Sequence, residues 1–567
     1  MSALADLFDP AISNGQLSSI TVEGGENLYT VGDEPSAVYL VRRGLFAVMR
    51  DAGDGRMQLV GYVRRGECVG EMSVLSGMAR GSTIVALRDS SVDMFRAADF
   101  LKVLQGRPDL AVEIAHLVVR RAVGAPLLAA RSQIILVAAA GPGVDPVMLS
   151  HWLAQSCVNA GIKAVALDSR VAGSESDWIG PVEAQHDLVL LAVRHDEKDW
   201  LTLCQRQVDR ILLLGRSDLP PPPDSARWSS ETMQFHQLVD LVLQRPASAV
   251  SKHGGAWLSA TGATRLFHVD DGGGGVDRLA RHLSGRSIGV ALSGGGARAF
   301  AHVGVIRALR EAGVVIDLIC GTSMGAIVGA GVASGWDDAE LDQRLRKAFV
   351  ESSPLDDISL PIVAMTRGHK VEARLTEYFG DCDIADIDLP FFCLSANLTS
   401  GRHCLHDRGS LVRALRASIS LPGVLPPVIE NGQVLVDGGV LRNLPTDLLR
   451  ARHYGAVIGS DVSRDRGLLV EEVMPPRSWW RWFTSGAWRR GPPIVSILMR
   501  SATISAGAEI ALARNAADLY VMPDTGMVEI RDWRSYPQAV DAGYRAMRDA
   551  LAKFDDPALA LQELRAM

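Results

Sequence analysis

Two side chains set among glycines have the clearest capacity for chemistry. Ser323 stands in Gly321-Thr322-Ser323-Met324-Gly325, after the apolar run Leu318-Ile319-Cys320 and before Ala326-Ile327-Val328-Gly329-Ala330. A serine at such a strand-to-helix turn presents its hydroxyl at the apex, and the flanking glycines leave room for the bend. The hydroxyl is a poor nucleophile until a base takes its proton. The best acid is Asp437, in Val434-Leu435-Val436-Asp437-Gly438-Gly439, where a strand-like run ends. Within hydrogen-bond reach of Ser323 it would accept that proton, if an apolar pocket raises its pKa or the attack is strongly assisted elsewhere. A third block, Ser293-Gly294-Gly295-Gly296-Ala297-Arg298, follows the strand-like Ile288–Leu292 and precedes a helical stretch, His302 to Ala312. Consecutive glycines there turn several N–H groups into one space, suited to a phosphate or to the oxyanion of an acyl-transfer intermediate.

Each block has a plainer reading. The glycine run alone could be a nucleotide loop, but no Lys-Ser/Thr follows it. Asp437-Gly438-Gly439 alone could be a hairpin turn, and Gly321–Gly325 a structural one. A Ser–His–Asp triad is the rival mechanism, since His453 follows Asp437 in the order of α/β-hydrolases. No histidine lies beyond His453, however, and Arg452-His453-Tyr454-Gly455 reads as a helix end capped by the imidazole. His302 reads as packing on its helix, and His403 and His406 as surface residues.

The elements that must position these groups fall into regions. Residues 1–125 alternate short apolar strands with glycine turns, a small antiparallel β-structure; from Ala98 the pattern becomes helical. Residues 126–284 carry continuous apolar runs, Ile134–Val137, Ala164–Leu167, Leu188–Leu191 and Ile211–Leu214, with a helix over Met148–Gly161. That is a parallel α/β pattern. Asp270–Gly275 reads as a flexible loop before the third region. Strand and helix patterns alternate again over 285–548, and 549–567 reads as a helix and tail. The fold class is α/β throughout the last two regions.

The three glycine blocks resemble those of the patatin-like phospholipase family, as do Ser418-Ile419-Ser420-Leu421-Pro422-Gly423 and Asn443-Leu444-Pro445. The resemblance implies a three-layer α/β/α hydrolase domain and a Ser–Asp dyad without histidine. It implies Ser323 as nucleophile, Asp437 as base, and Gly294, Gly295, Gly296 and Arg298 as oxyanion-hole elements. Ala299 departs from the glycine frequent there. Gly70-Glu71-Met72-Ser73-Val74-Leu75 and Arg80-Gly81-Ser82-Thr83 resemble the phosphate-binding cassette of cyclic nucleotide-binding domains, which are β-rolls. By resemblance Glu71 takes the ribose, Arg80 the phosphate, and Gly70 and Ser82 supply close contacts. Ala79 and Gly81 depart from the usual proline and alanine, so a ligand-free docking module stands beside a regulator that binds cAMP or cGMP. The pairing of the two domains resembles the neuropathy target esterase family, as does Cys204-Gln205-Arg206-Gln207-Val208-Asp209-Arg210-Ile211-Leu212. The implied substrates are lysophospholipids or phospholipids. Gly141-Pro142-Gly143-Val144 is only weakly similar to a nucleotide loop.

A formal net charge of -7 gives no support to nucleic-acid binding. Seven scattered cysteines without a CxxC pair argue against a disulfide framework and a zinc site, and fit a reducing, cytoplasmic setting. No secretory signal is legible, and the apolar runs are too short to span a bilayer. Peripheral membrane contact is expected instead through Pro475–Arg490, where four of eleven tryptophans, Trp479, Trp480 and Trp482 among them, interleave with four arginines. Those tryptophans could equally pack on the domain. Catalysis needs no metal or cofactor on this reading. The alternative function is a non-catalytic signalling protein with a cyclic-nucleotide module and an inert hydrolase-like domain.

Overall fold

The computed structural model of the chain describes residues 17–51, 57–107, 110–112, 114–115, 118, 134–171, 179–226, 238–246, 251–352, 357, 363–453, 455–463, 507–526 and 528–565. The tryptophan–arginine segment 475–490 lies outside the described residues.

The N-terminal region is two four-stranded antiparallel sheets, ordered β1-β8-β3-β6 and β2-β7-β4-β5. The strands are β1 (Ser18–Val22), β2 (Asn27–Tyr29), β3 (Ala37–Arg43), β4 (Leu45–Asp51), β5 (Met57–Arg64), β6 (Cys68–Val69), β7 (Thr83–Ala86) and β8 (Ser90–Arg96). A six-residue helix, α1 (Glu71–Ser76), interrupts the roll, and α2 (Ala97–Gly106) leaves it. Gly44 turns β3 into β4 at φ 105°, where a Cβ would lie 1.9 Å from Ser90 Oγ, so only glycine fits.

The middle region is a six-stranded all-parallel sheet in the order β10-β11-β9-β12-β13-β14. Its elements are β9 (Ile134–Ala139), α3 (Pro146–Asn159), β10 (Ala164–Leu167), α4 (Ile179–Gln185), β11 (Leu188–Val193), α5 (Lys198–Gln205), β12 (Arg210–Arg216), β13 (Leu238–Arg245), α6 (Gly254–Thr261), β14 (Arg265–Asp270) and α7 (Val276–Leu283). The central strands read as unbroken apolar runs because both faces are covered. Ile134 and Leu136 meet Trp200 and Trp257 on one face, and Ile135 and Val137 meet Leu149, Leu153 and Leu279 on the other. The segment expected to be a flexible loop, Asp270–Gly275, is instead a tight turn. The Asp270 carboxylate accepts from the N–H groups of Gly272 (2.9 Å) and Gly274 (2.8 Å).

The C-terminal region is built on a sheet ordered β19-β20-β17-β16-β15-β21-β22, with β18 paired to β17. In chain order it runs β15 (Ile288–Leu292), α8 (Ala301–Glu311), β16 (Leu318–Thr322), α9 (Met324–Ala333), α10 (Asp338–Leu345), α11 (His369–Phe379), β17 (Phe391–Asn397), β18 (Arg402–His406), α12 (Leu411–Ser418), β19 (Val428–Glu430), β20 (Gln433–Asp437), α13 (Thr446–Arg452), β21 (Ala456–Ser460), α14 (Gly507–Ala516), β22 (Leu519–Val521), α15 (Tyr536–Leu551) and α16 (Pro557–Glu563). Val290, Ile319 and Ile458 face one layer, packing with Val303, Ile327, Leu415 and Val540. Ala291, Cys320 and Val457 face the other, with Leu449 and Ala513. This is a three-layer α/β/α sandwich. The last helix, α16, buries Leu561 in the same core, and Arg565 pairs with Asp518 at 2.6 Å, so the C-terminal residues pack as part of this domain.

Buried ion pairs join the regions. Arg88, between β7 and β8, is 1% exposed and meets Glu183 of α4 (2.6 Å) and Asp209 (2.6 Å) of the middle region. At the other boundary Arg281 of α7 holds Asp317 at 2.7 Å, just before β16. Among the described residues no helix is long and apolar enough to cross a membrane. All seven cysteines are free thiols.

Candidate active site

One strand sets the spacing of the site. On β17, Leu394 pairs with Thr322 of β16 and the next residue, Ser395, pairs with Asp437 of β20. The end of β16 and the end of β20 therefore meet side by side. Ser323 leaves β16 at φ 55°, ψ −127°, a left-handed conformation that a residue with a side chain rarely adopts. This turn aims Oγ at Asp437, whose Oδ2 accepts its hydrogen at 2.6 Å. The flanking glycines are needed for closeness. A Cβ on Gly325 would lie 2.5 Å from the Ser293 carbonyl oxygen, and one on Gly438 2.6 Å from that of Leu394.

Further bonds fix both partners. The Ser323 N–H donates to Ser418 Oγ at 2.9 Å, the Asp437 N–H to the Ser420 carbonyl at 2.9 Å, and the Gly439 N–H to Asp437 Oδ1 at 2.8 Å. Asp437 is 3% exposed, and this burial pushes its carboxyl up from the ordinary 3.8 to about 6 despite the hydrogen bonds from Ser323 and Gly439. Such a carboxylate is a stronger base than a solvated one.

The glycine loop lies against Ser323. A Cβ on Gly294 would stand 3.0 Å from Ser323 Cβ and 2.7 Å from Asn443 Oδ1. The Gly294 N–H is already given to the Asn443 carbonyl (3.3 Å), and Asn443 Nδ2 returns a bond to the Gly294 carbonyl (3.1 Å). The donors left to an oxyanion are those of Gly295 and Gly296, which are half-buried and find no acceptor among the described residues. Gly296 sits at φ 57°, where a Cβ would lie 2.2 Å from the Ile530 carbonyl oxygen. Arg298 is half-buried in the same 3-10 turn, and Ala299 is fully buried in the core, where its methyl packs without disturbing the loop.

The histidines serve structure. His453 stands at the C-cap position of α13 and is 1% exposed, but its imidazole, expected to cap the helix, turns to the neighbouring strands instead: Nε2–H donates to the Ala456 carbonyl (2.9 Å), and Nδ1 faces Ser287 Oγ (3.3 Å). Ser287 and Ala456 stand where β15 and β21 begin, whereas Ser323 follows the end of β16, about 16 Å away along five-residue strands. Burial draws His453 down to about 4. His302, also drawn down to about 4 by burial, donates through Nε2 to the Ser293 carbonyl (2.8 Å) and accepts from Ser460 Oγ (2.9 Å), tying the glycine loop to β21. His403 is exposed as expected. His406 is half-buried rather than a free surface residue; Nε2 meets the buried Ser395 Oγ at 2.7 Å. Sequence reasoning missed Ser418 and Asn443 as individual contacts, although both lie in segments already matched to the family.

In the N-terminal domain Arg80 is 2% exposed and turned inward. Its guanidinium donates to the carbonyls of Gly70 (2.9 Å) and Ala37 (2.6 Å) and lies 4.2 Å from the Tyr29 ring centre. Glu71 opens α1 and is 1% exposed; Gly70 precedes it at φ 92°, and Ser82 is half-buried. A nucleotide phosphate would have to draw Arg80 away from a carbonyl. The loop Gly141–Val144 runs into Asp145, whose carboxylate accepts from Val147 N–H (3.0 Å) and Met148 N–H (3.2 Å). The place where a phosphate would sit at α3 is thus held by the protein's own anion. No cluster of three or more metal-ligating side chains occurs among the described residues.

Comparison with known proteins agrees with this architecture. The sequence model described as patatin-like phospholipase matches residues 290–450, and that described as cyclic nucleotide-binding domain matches residues 19–107. An uncharacterized NTE family protein of Mycobacterium tuberculosis is 31% identical over 551 residues, covering 94% of this chain and 91% of its own. Human patatin-like phospholipase domain-containing protein 6 is 28% identical over 92% of this chain, which spans 44% of that protein. Lysophospholipase nte1 of Aspergillus niger is 25% identical over 95% of this chain, which spans 42% of it. The chain therefore belongs to the NTE family: it is a lipid ester hydrolase with a patatin-like phospholipase domain and an N-terminal cyclic nucleotide-binding domain.

Proposed function

We propose that the chain hydrolyses the carboxylic ester of lysophospholipids through a Ser323–Asp437 dyad and an acyl-serine intermediate. The observation that carries this reading is the 2.6 Å bond from a strained Ser323 to a buried carboxylate. Asp437 takes the hydroxyl proton as Oγ attacks the ester carbonyl, then gives it to the departing alcohol oxygen. Charge developing on the carbonyl oxygen is met by the N–H groups of Gly295 and Gly296, assisted by the amino end of α9. In the second half Asp437 takes a proton from water as its oxygen attacks the acyl carbonyl; the bond to Ser323 Oγ breaks, Oγ takes the proton from Asp437, and the fatty acid leaves. The resemblance to the patatin-like family assigns Arg298, in the same glycine turn, to support the negative charge. A cyclic nucleotide at Gly70, Glu71, Arg80 and Ser82 would regulate access to this site.

Fatty-acid release from lysophosphatidylcholine tests the reading. Ser323→Ala and Asp437→Asn should each lose at least about 10³-fold in kcat, while His453→Ala, if folded, keeps its rate. The wild-type rate should rise as pH passes about 6, where Asp437 ionises. An active Asp437→Asn variant would remove the dyad. For regulation, millimolar cAMP or cGMP should raise the thermal midpoint of the wild type and not of Arg80→Leu. No shift with either nucleotide would leave the N-terminal domain a docking module.

A further inference from the structure

The two open N–H groups of the glycine loop are held in different ways. That of Gly296 belongs to the peptide whose carbonyl, on Gly295, accepts the Arg298 N–H at 3.3 Å within the same 3-10 turn. The turn itself fixes this donor. The Gly295 N–H belongs to the peptide Gly294–Gly295, and no backbone group among the described residues bonds to that unit. Its carbonyl accepts instead from a side chain far along the sequence, the half-buried Asn443, through Nδ2 at 3.1 Å.

A trans peptide is planar, with its C=O and N–H pointing in opposite directions. By holding the oxygen end, Asn443 sets the direction of the Gly295 N–H. An amide whose oxygen accepts a hydrogen bond is also a stronger donor through its nitrogen. The peptide before it, Ser293–Gly294, has both ends taken: His302 Nε2–H on the Ser293 carbonyl (2.8 Å) and the Asn443 carbonyl on the Gly294 N–H (3.3 Å). Between glycines, which rotate freely, such pinning decides where a peptide unit points. The loop so held is close to the serine, since a Cβ on Gly294 would stand 3.0 Å from Ser323 Cβ.

Asn443 is fixed by the segment that carries Asp437. The Gly438 carbonyl accepts the N–H groups of Leu441 (3.1 Å) and Arg442 (2.8 Å), the Thr322 hydroxyl donates to the Arg442 carbonyl (3.3 Å), and α13 begins at Thr446. One turn thus carries both the carboxylate and the carboxamide.

We propose that Asn443 is a positioning residue for ester hydrolysis, its carboxamide aiming and strengthening the Gly295 N–H for the oxygen that becomes negative when Ser323 attacks. This rests on the Ser323 reading and adds a group that touches neither the substrate nor the reacting atoms.

The test compares a p-nitrophenyl ester with its thiono analogue, C=S in place of C=O, on the wild type and on Asn443→Leu, which keeps the size of the side chain and removes its donor. Sulfur is larger and accepts hydrogen bonds poorly, so the thionoester draws little on an oxyanion hole. Asn443→Leu should lower kcat for the ester about 10²-fold, as loss of one such donor does, with KM changed less than about twofold. The thionoester rate should fall less than about threefold. Equal losses on both substrates would mark a general disturbance and overturn the proposal, as would an ester kcat within about threefold of the wild type. A second measurement needs no variant: the crystal structure of the wild type with an alkylphosphonate on Ser323, whose P–O oxygen stands in for the oxyanion. That oxygen should accept from the Gly295 N–H while Asn443 Nδ2 stays on the Gly294 carbonyl. A labelled Ser323 with the Gly294–Gly295 peptide turned away, or with Asn443 released from it, would overturn this proposal alone. A wild type that leaves Ser323 unmodified would overturn the dyad and the proposal with it.

Discussion

At the residue scale the protein holds a carboxyl where its charge is unwelcome. Asp437 binds its proton more tightly when folded (about 6) than an ordinary aspartate does (3.8). Its contribution to stability is therefore full below about pH 4 and is lost as pH rises through 6. Above pH 7 the buried carboxylate costs about 3 kcal/mol relative to the unfolded chain. Asp437→Asn removes the titration, so the variant should gain about 2 kcal/mol on the wild type between pH 4.5 and pH 8. Denaturant unfolding at the two pH values measures this, and a gain of the opposite sign would contradict the burial argument. The proposed base is thus a residue that the fold tolerates at a cost.

At the scale of elements, the proposed nucleophile depends on what a neighbouring helix end offers. Ser323 can hold its left-handed turn because its N–H is accepted by Ser418 Oγ at the end of α12. Ser418→Ala leaves that buried donor without its partner. This should cost about 1–3 kcal/mol of stability and lower kcat about tenfold with little change in KM, since the turn and not the binding surface is loosened. Steady-state kinetics with unfolding curves separate the two effects; an unchanged kcat would mean the turn is held by its glycines alone. Ser418 and Asn443 were legible only as members of family-like segments. Their roles require knowing that α12 and the start of α13 close around the end of β16, which no local pattern encodes. The elements themselves were mostly legible, because buried parallel strands are unbroken apolar runs. Strands β13 and β14 were missed because Asp240, Arg265 and His268 interrupt theirs. Those polar residues are buried and paired, Asp240 with Arg265 at 2.5 Å and His268 with the Ala385 carbonyl at 2.9 Å.

At the scale of the whole molecule, the middle region carries no candidate chemistry but holds its neighbours through buried charge. The segment Cys204–Leu212, singled out in the sequence for its resemblance, lies at that junction. Asp209 pairs with Arg88, Gln207 meets Asp89 (3.1 Å) and Arg43 (3.3 Å), and Arg206 reaches Glu23 (3.0 Å). Arg88→Met would leave Glu183 and Asp209 buried beside an apolar side chain, at a cost of about 3–5 kcal/mol. Calorimetry should show the N-terminal domain melting in a separate, earlier transition. Combining Arg88→Met with Glu183→Gln and Asp209→Asn should return most of the loss. A single unshifted transition in Arg88→Met would show that the junction is held by other contacts.

The sequence by itself singled out the proposed catalytic pair, the glycine loop and the two kinds of domain, because sharp turns require glycine and buried strands require hydrocarbon at fixed spacing. Those constraints are local and leave a trace in residue order. Tertiary structure alone decided which loop donors remain for an oxyanion, since Gly294 is spent on Asn443 and Gly295 and Gly296 are not. It also decided that His453 lies at the wrong end of the sheet for a triad and that Arg80 faces inward. Each of these is settled by contacts between residues far apart in the chain, whose strength depends on burial and distance rather than on neighbours in sequence.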